Sequence, residues 1–270
     1  MSAPTGVGDD GPGIDEQPLG AEALDALSTA EAPPTPDVAV AESATPADAT
    51  TTRPGVAAFD FDGTLAREDT FVPFLRHACG NRRTALAAAA AARTTRDRDA
   101  LKLAVLTTLF RGWSEARFDE LGASYARRLP ALLRPAMLDR LRWHQAEGHS
   151  VVIVSASLGT YLRPLAATLG IDEALAVELV ASGGALTGEV IGGANCRGPG
   201  KVDRLRAWVD DTYGPGTEVE LWAYGDSAGD EELLAASDHP TWVGRRAART
   251  GGSGEPAGSR SRFPFRFPGR

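Results

Sequence analysis

The sequence predicts an α/β protein built on a parallel sheet, with a helical unit inserted after the first strand. Three observations carry this. Val56 to Phe61 is a short apolar run bounded by Pro54-Gly55 and Asp62-Gly63, the length and punctuation of a buried strand. Ser150 to Ser155 reads Ser-Val-Val-Ile-Val-Ser, a continuous β-branched run of the kind covered on both faces. These runs and later ones alternate with helical patterns, and such alternation makes a parallel sheet through right-handed crossovers. The expectation is a Rossmann-like sheet with helices on both faces.

Taken in order, the strand at Val56 is followed by a long helical stretch. Phe71, Phe74 and Leu75, then Leu101, Val105 and Leu109, then Leu129, Leu132, Met137 and Leu141 recur at spacings of three and four. Breaks at Gly80, Gly112, Pro130 and Gly148 divide it into several antiparallel helices, about eighty residues in all. After the strand at Ser150 come a helix from Thr160 to Leu169, a hairpin across Ser182-Gly183-Gly184, and a helix from Lys201 to Tyr213 with Val202, Leu205 and Val209 on one face. A strand at Val219 to Tyr224, a short helix at Glu231 to Ala236 and a last strand at Thr241 to Val243 complete the pattern. The core is therefore expected at 54–68 and 149–245, with the insertion at 69–148.

The two ends read differently. Residues 1–53 are rich in Ala, Pro, Thr, Asp and Glu without apolar periodicity, a disordered acidic tail. Residues 246–270 form a disordered basic tail in which arginines alternate with Phe263, Phe265 and Phe267, a composition suited to weak contact with an anionic membrane surface. The net charge of -8 is thus unevenly spread and does not describe the partner of the folded part; no nucleic-acid partner is expected. With 43% hydrophobic residues in 270, a sizeable core is available. Cys79 and Cys196 are too few for a disulfide framework or a zinc site, which fits a reducing cytoplasm. No run approaches the ~20 apolar residues of a membrane span, and the start lacks the features of a secretory signal.

Each strand ends in polar residues, and in open parallel sheets those ends meet at one rim where ligands bind. Asp60 and Asp62 close the first strand, two residues apart and so on one side of it, while Phe59 and Phe61 turn to the core. Asp-Gly between apolar residues also fits a plain turn. Ser155 closes the second strand, and Asp226 follows the later one, with Asp230 four residues on. Up to four carboxylates then need a cation, and an oxygen-only donor set points to Mg²⁺. Asp226 and Asp230 also suit turn and cap positions. Lys201, after Gly198-Pro199-Gly200, starts a helix from which an ammonium reaches the rim; a solvated surface lysine is the plainer reading. Gly225-Asp226-Ser227-Ala228-Gly229 matches a nucleophile elbow, which would make Ser227 an esterase nucleophile, but His239 is the one later histidine and too little chain follows to supply a separate acid and base.

With these residues assembled, the chain resembles the haloacid dehalogenase superfamily, subfamily IB, and within it the phosphoserine phosphatases. Asp60-Phe61-Asp62-Gly63-Thr64 is similar to the first family motif, Ser155 to the second, Lys201 to the third, and Gly225-Asp226 with Asp230 to the fourth. The likeness spans Val56 to Gly244, and the insertion is similar to the family's helical cap. Gly63 and Asp69 stand where phosphoserine phosphatases usually carry Ser and Glu, and the sequence shows no clear counterpart of their carboxylate-holding cap arginine.

The resemblance implies a Mg²⁺-dependent phosphatase acting on a small phosphomonoester through an aspartyl-phosphate. Asp60 would be the nucleophile and Asp62 the general acid and base. Ser155 and Lys201 would hold the phosphoryl oxygens, and Asp69 would join them in substrate binding. Asp60, Asp62 through its main-chain carbonyl, Asp226 and Asp230 would serve the metal. The same residues also permit phosphoryl transfer to an acceptor alcohol.

Overall fold

The computed structural model describes residues 53–193 and 195–244; both tails predicted from composition lie outside the described residues except for Arg53, which donates to Val219 O at 3.2 Å and pairs with Asp238 at 3.4 Å. Five parallel strands form the central sheet: β1 (Gly55–Phe59), β2 (Ser150–Leu158), β3 (Glu173–Val177), β6 (Glu220–Gly225) and β7 (His239–Trp242), in the order β3-β2-β1-β6-β7. β1 lies at the centre, paired with β2 through Val56 opposite Ser150 and with β6 through Phe59 opposite Tyr224. Val56, Ala57, Ala58 and Phe59 are all at 0% exposure, as are Val151 to Val154. Successive side chains of a strand point to opposite faces, so both faces of this sheet are covered.

Between β1 and β2 run α1 (Phe71–Cys79), α2 (Asn81–Ala91), α3 (Arg98–Phe110), α4 (Glu115–Ala126) and α5 (Pro135–Ala146). The breaks read from the sequence fall where helices stop: Gly80 separates α1 from α2 at φ 78, a left-handed backbone that favours glycine. Asp97 and Ser114 cap α3 and α4 by accepting the N–H groups of Ala100 and Arg117. α5 packs on β2, and its His144 shares a 2.8 Å hydrogen bond between Nε2 and the Tyr224 hydroxyl, so the last helix of the insertion is seated against the sheet.

After β2 come α6 (Gly159–Leu169), β3, the antiparallel hairpin β4 (Leu179–Ser182) and β5 (Ala185–Val190), α7 (Pro199–Tyr213), β6, α8 (Glu231–Ala235) and β7. Two features differ from the sequence reading. The edge strand β3 has no counterpart in it, because Glu-Ala-Leu-Ala-Val is alanine-rich and lacks a strand's β-branched signal. β2 does not end at Ser155 but runs to Leu158, with an irregularity in its pairing with β3 between Val154 and Leu158. Such an irregularity re-aims side chains at the end of a strand.

Besides α5, α4 and the connection after α3 tie the insertion to the rest. Thr160 of α6 donates to the Phe118 carbonyl and the Asp119 carboxylate of α4, each at 3.2 Å, and the two helices approach so closely at Gly122 that a methyl there would run into Thr160. The β4–β5 hairpin holds the connection between α3 and α4 through Gly112 N–H to Leu186 O and Leu186 N–H to Trp113 O, both 2.8 Å. An aromatic cluster of Phe74, Phe110, Phe118, Tyr125 and Tyr161 fills the space between α1, α3, α4 and α6.

Replacing Gly122 with leucine is expected to force α4 off α6 and to lower stability by about 1–3 kcal/mol, the usual cost of overpacking. Urea unfolding checks it; an unchanged midpoint would mean that the two helices do not depend on this close approach.

Candidate active site

The carboxyl ends of β1, β2 and β6 converge on a cavity of about 1010 Å³. β1 ends at Phe59, one residue before Asp60, and the turn that follows carries Asp62; Phe59 and Phe61 are both fully buried. β6 delivers Asp226, followed by a 3₁₀ turn at Ala228–Asp230 that carries Asp230. Lys201 comes from the first turn of α7, and Ser155 from the irregular end of β2. Asp60, Asp62, Asp69, Ser155, Lys201, Asp226 and Asp230 all line this one cavity.

Lys201 is the centre of the arrangement. Its side chain is 97% removed from solvent, and Nζ donates to Asp60 Oδ1 at 2.5 Å and to Asp230 Oδ1 at 2.6 Å. Burial alone would strip its proton, but Asp60 and Asp230 hold it well above the ordinary lysine range. It is no surface lysine. Burial pushes the Asp60 carboxyl up to about 7 against the pull of Lys201. The second Asp60 oxygen accepts from Thr64 Oγ1 at 3.2 Å.

Asp62 occupies a separate niche. One oxygen accepts from the Thr70 N–H at 2.8 Å and the Thr70 hydroxyl at 2.6 Å, and the other from the Ser157 hydroxyl. Burial raises its pKa, against those hydrogen bonds; the repulsion from a neighbouring carboxylate, Asp69, is the smaller cause. The upward shift of Asp62 thus comes first from its dry surroundings and only secondarily from a neighbouring acid.

Asp60, Asp226 and Asp230 each offer a carboxylate oxygen within 4.8 Å of the others, an oxygen-only set that fits Mg²⁺. Gly63, at φ +84, makes this closeness possible: a Cβ there would collide with the Asp226 carboxylate. Asp230, however, has both oxygens in use. Oδ1 takes Lys201, while Oδ2 takes the N–H and hydroxyl of Ser227 at 3.0 and 2.8 Å in a capping box. The cap role and the site role are thus held by one residue. Ser227 spends its hydroxyl on Asp230, and His239 is exposed and bonded to Glu220 at 2.8 Å, so among the described residues the elbow serine has no histidine as hydrogen-bond partner, which speaks against an esterase.

Ser155 is 1% exposed, and its oxygen accepts from the Ser157 N–H at 3.1 Å. Asp69 is exposed and accepts the N–H groups of Phe71 and Val72 at the start of α1. The sequence reading misses Thr70, Ser157 and Lys102. Ser157 is two residues from Ser155 and so shares its side of the strand, a signal that was there to use. Thr70 belongs to no motif. Lys102 crosses from α3 to donate to Ala156 O and to Asn195 Oδ1, while Asp99 accepts from Asn195 Nδ2 at 2.8 Å. Arg76 and Arg98 of the inserted helices also line the cavity, although no cap arginine is evident in the sequence.

Fold and rim together define an α/β enzyme that works at the carboxyl edge of a parallel sheet. The family model for haloacid dehalogenase-like hydrolases matches residues 57–235, and the chain belongs to that family. Protein CicA of Caulobacter vibrioides is 35% identical over 194 residues, which cover 68% of this chain and 84% of that protein. A crystal structure of a protein with unknown function from Bordetella pertussis Tohama I is similar with a TM-score of 0.61 at 22% identity, covering 74% of this chain and 97% of that one. A probable phosphoserine phosphatase from Vibrio cholerae shares the fold at a TM-score of 0.50 and 21% identity, over 68% of this chain and 54% of that one.

Lys201→Met is expected to cost roughly 3–5 kcal/mol of stability at neutral pH, because it leaves Asp60 and Asp230 buried without their cation. The loss should shrink as pH falls and the two orphaned carboxylates take up protons. Thermal unfolding from neutral to acid pH checks it; a pH-independent loss would mean that Lys201 acts by packing alone.

Proposed function

We propose that this chain is a Mg²⁺-dependent phosphatase that hydrolyses a small phosphomonoester through an aspartyl-phosphate on Asp60. The observation that carries this reading is the pairing of two differently housed aspartates: Asp60 against the buried ammonium of Lys201, and Asp62 in a dry niche between Thr70 and Ser157. An acid and a nucleophile set apart by environment are what a two-step displacement needs.

In the first step a carboxylate oxygen of Asp60 bonds to phosphorus as the ester P–O bond breaks, and the departing alkoxide takes the proton of Asp62. In the second, Asp62 accepts a proton from water, whose oxygen attacks phosphorus and releases inorganic phosphate and the Asp60 carboxylate. Ser155 and Lys201 donate to the phosphoryl oxygens, and Asp230 keeps Lys201 aimed at them. Asp60, Asp226 and the main-chain carbonyl of Asp62 would hold Mg²⁺, which neutralises charge on the transferring group. Both oxygens of Asp230 are engaged, which favours it as a positioning residue over a direct ligand. Asp69 at the start of α1 faces the same cavity and remains a candidate for substrate contact. We read the helices of 69–148 as a cap over the rim, with α5 as its anchor on the sheet.

Asp60→Asn keeps the shape and removes the attacking charge, so hydrolysis of a chromogenic aryl phosphate is expected to fall by at least about 10³-fold with folding retained. Residual activity above a few per cent sinks covalent attack by Asp60.

Chelation should abolish turnover and added Mg²⁺ restore it, and Asp226→Asn should weaken Mg²⁺ binding measured by titration calorimetry. Full activity in excess chelator would remove the metal from the scheme.

A further inference from the structure

The cavity has two unlike ends. At the floor lie Asp60, Asp62, Ser155 and Lys201; above it the wall is made by α1, α2 and α3, which contribute Phe71, Val72, Leu75, Ala88, Leu101 and Val105, with Asn81 exposed at the start of α2 and Asp99 of α3 bonded to Asn195. Thr84 interrupts this apolar wall, but its hydroxyl donates to the Gly80 carbonyl at 2.9 Å. Lys102 reaches the same wall with its ammonium engaged by Ala156 O and Asn195, 4.5 Å above the Phe71 ring. Arg76 and Arg98 are exposed, where a guanidinium is solvated and contributes little. A volume of about 1010 Å³ is at the upper end of what drug-sized ligands occupy, far beyond a phosphate with a few polar atoms.

We propose that the ester cleaved at this site carries a hydrophobic leaving group, an alcohol with an alkyl chain or ring that fills the chamber between α1, α2 and α3. The inference rests on the phosphatase reading above and names its substrate class: an amphiphilic phosphomonoester in place of a compact, charged one. An apolar wall next to a strongly polar floor orients such a molecule by itself, because either end in the wrong compartment is penalised. It also excludes water from the leaving-group side while Asp62 delivers its proton.

The test is kcat/KM for n-alkyl phosphates from ethyl to decyl, below their micelle concentrations, with phosphoserine as the compact charged comparator. Each added methylene is expected to raise kcat/KM by about threefold to fourfold until the chamber is full. Ala88→Phe should move that plateau to shorter chains and lower the value for decyl phosphate at least tenfold; Leu101→Ala should move it to longer chains. Leu86→Ala, on the exposed side of α2, should leave the profile unchanged. The matching alkylphosphonates, titrated calorimetrically with Mg²⁺ present, give a readout without turnover. A flat profile, or phosphoserine preferred over the longer chains, overturns the inference. Chain-dependent phosphonate binding without hydrolysis of any ester upholds the chamber and sinks the phosphatase reading instead.

Discussion

A single buried ammonium, that of Lys201, decides how this site is built. Two carboxylates, Asp60 after the central strand β1 and Asp230 after its neighbour β6, meet on it at 2.5 and 2.6 Å. Each would be costly alone in so dry a place, and so would the lysine. Their mutual dependence fixes the N-terminal turn of α7 against the ends of β1 and β6. Glycine then permits what charge demands: at Gly63 the backbone swings into the left-handed region and leaves room for Asp226 beside Asp60. The rim is a balance in which packing, charge and backbone freedom each supply what the others lack.

The insertion is held unequally. α4 is locked to α6 and α3 is laced to the β4–β5 hairpin, whereas α1 and α2 contribute the wall of the cavity and meet the core mainly through Phe74 and Thr70. A site of this kind has a fixed floor and a fixed rear wall. Its front is made of a helix pair joined at Gly80, which lines the cavity together with α3.

Much of this was legible in the sequence because it rests on local chemistry. The strand at Val56, its two aspartates, the glycine breaks at Gly80, Gly112 and Gly148, and a helix carrying Lys201 in its first turn, which begins at Pro199 two residues earlier than read, all announce themselves through turn residues and apolar runs. What escaped depends on distant partners. β3 is a strand because β2 pairs with it, not because Glu-Ala-Leu-Ala-Val prefers to be one. Ser155 sits within β2 because pairing carries the strand on to Leu158. The proton-holding tendency of Asp62 comes from burial under the insertion, and no count of neighbouring acids in the sequence reveals it. The roles of Ser157 and Lys102 exist only once segments 95 and 54 residues apart are brought together, whereas Thr70 lies eight residues from Asp62 and belongs to no motif that marks it.

Thr70 has a consequence that reaches beyond the site. Its N–H and hydroxyl hold Asp62, its carbonyl accepts from Tyr125 of α4, and its hydroxyl meets Tyr161 of α6. The residue that steadies the acid is thus itself steadied by the insertion and by the core at once. Exchange of the 69–148 insertion for another would carry Thr70 and Tyr125 away together and leave Asp62 with Ser157 alone unless equivalent groups came with the new segment. The lining of the cavity and the seating of Asp62 thus draw on the same inserted segment, and a lineage that alters one must repair the other.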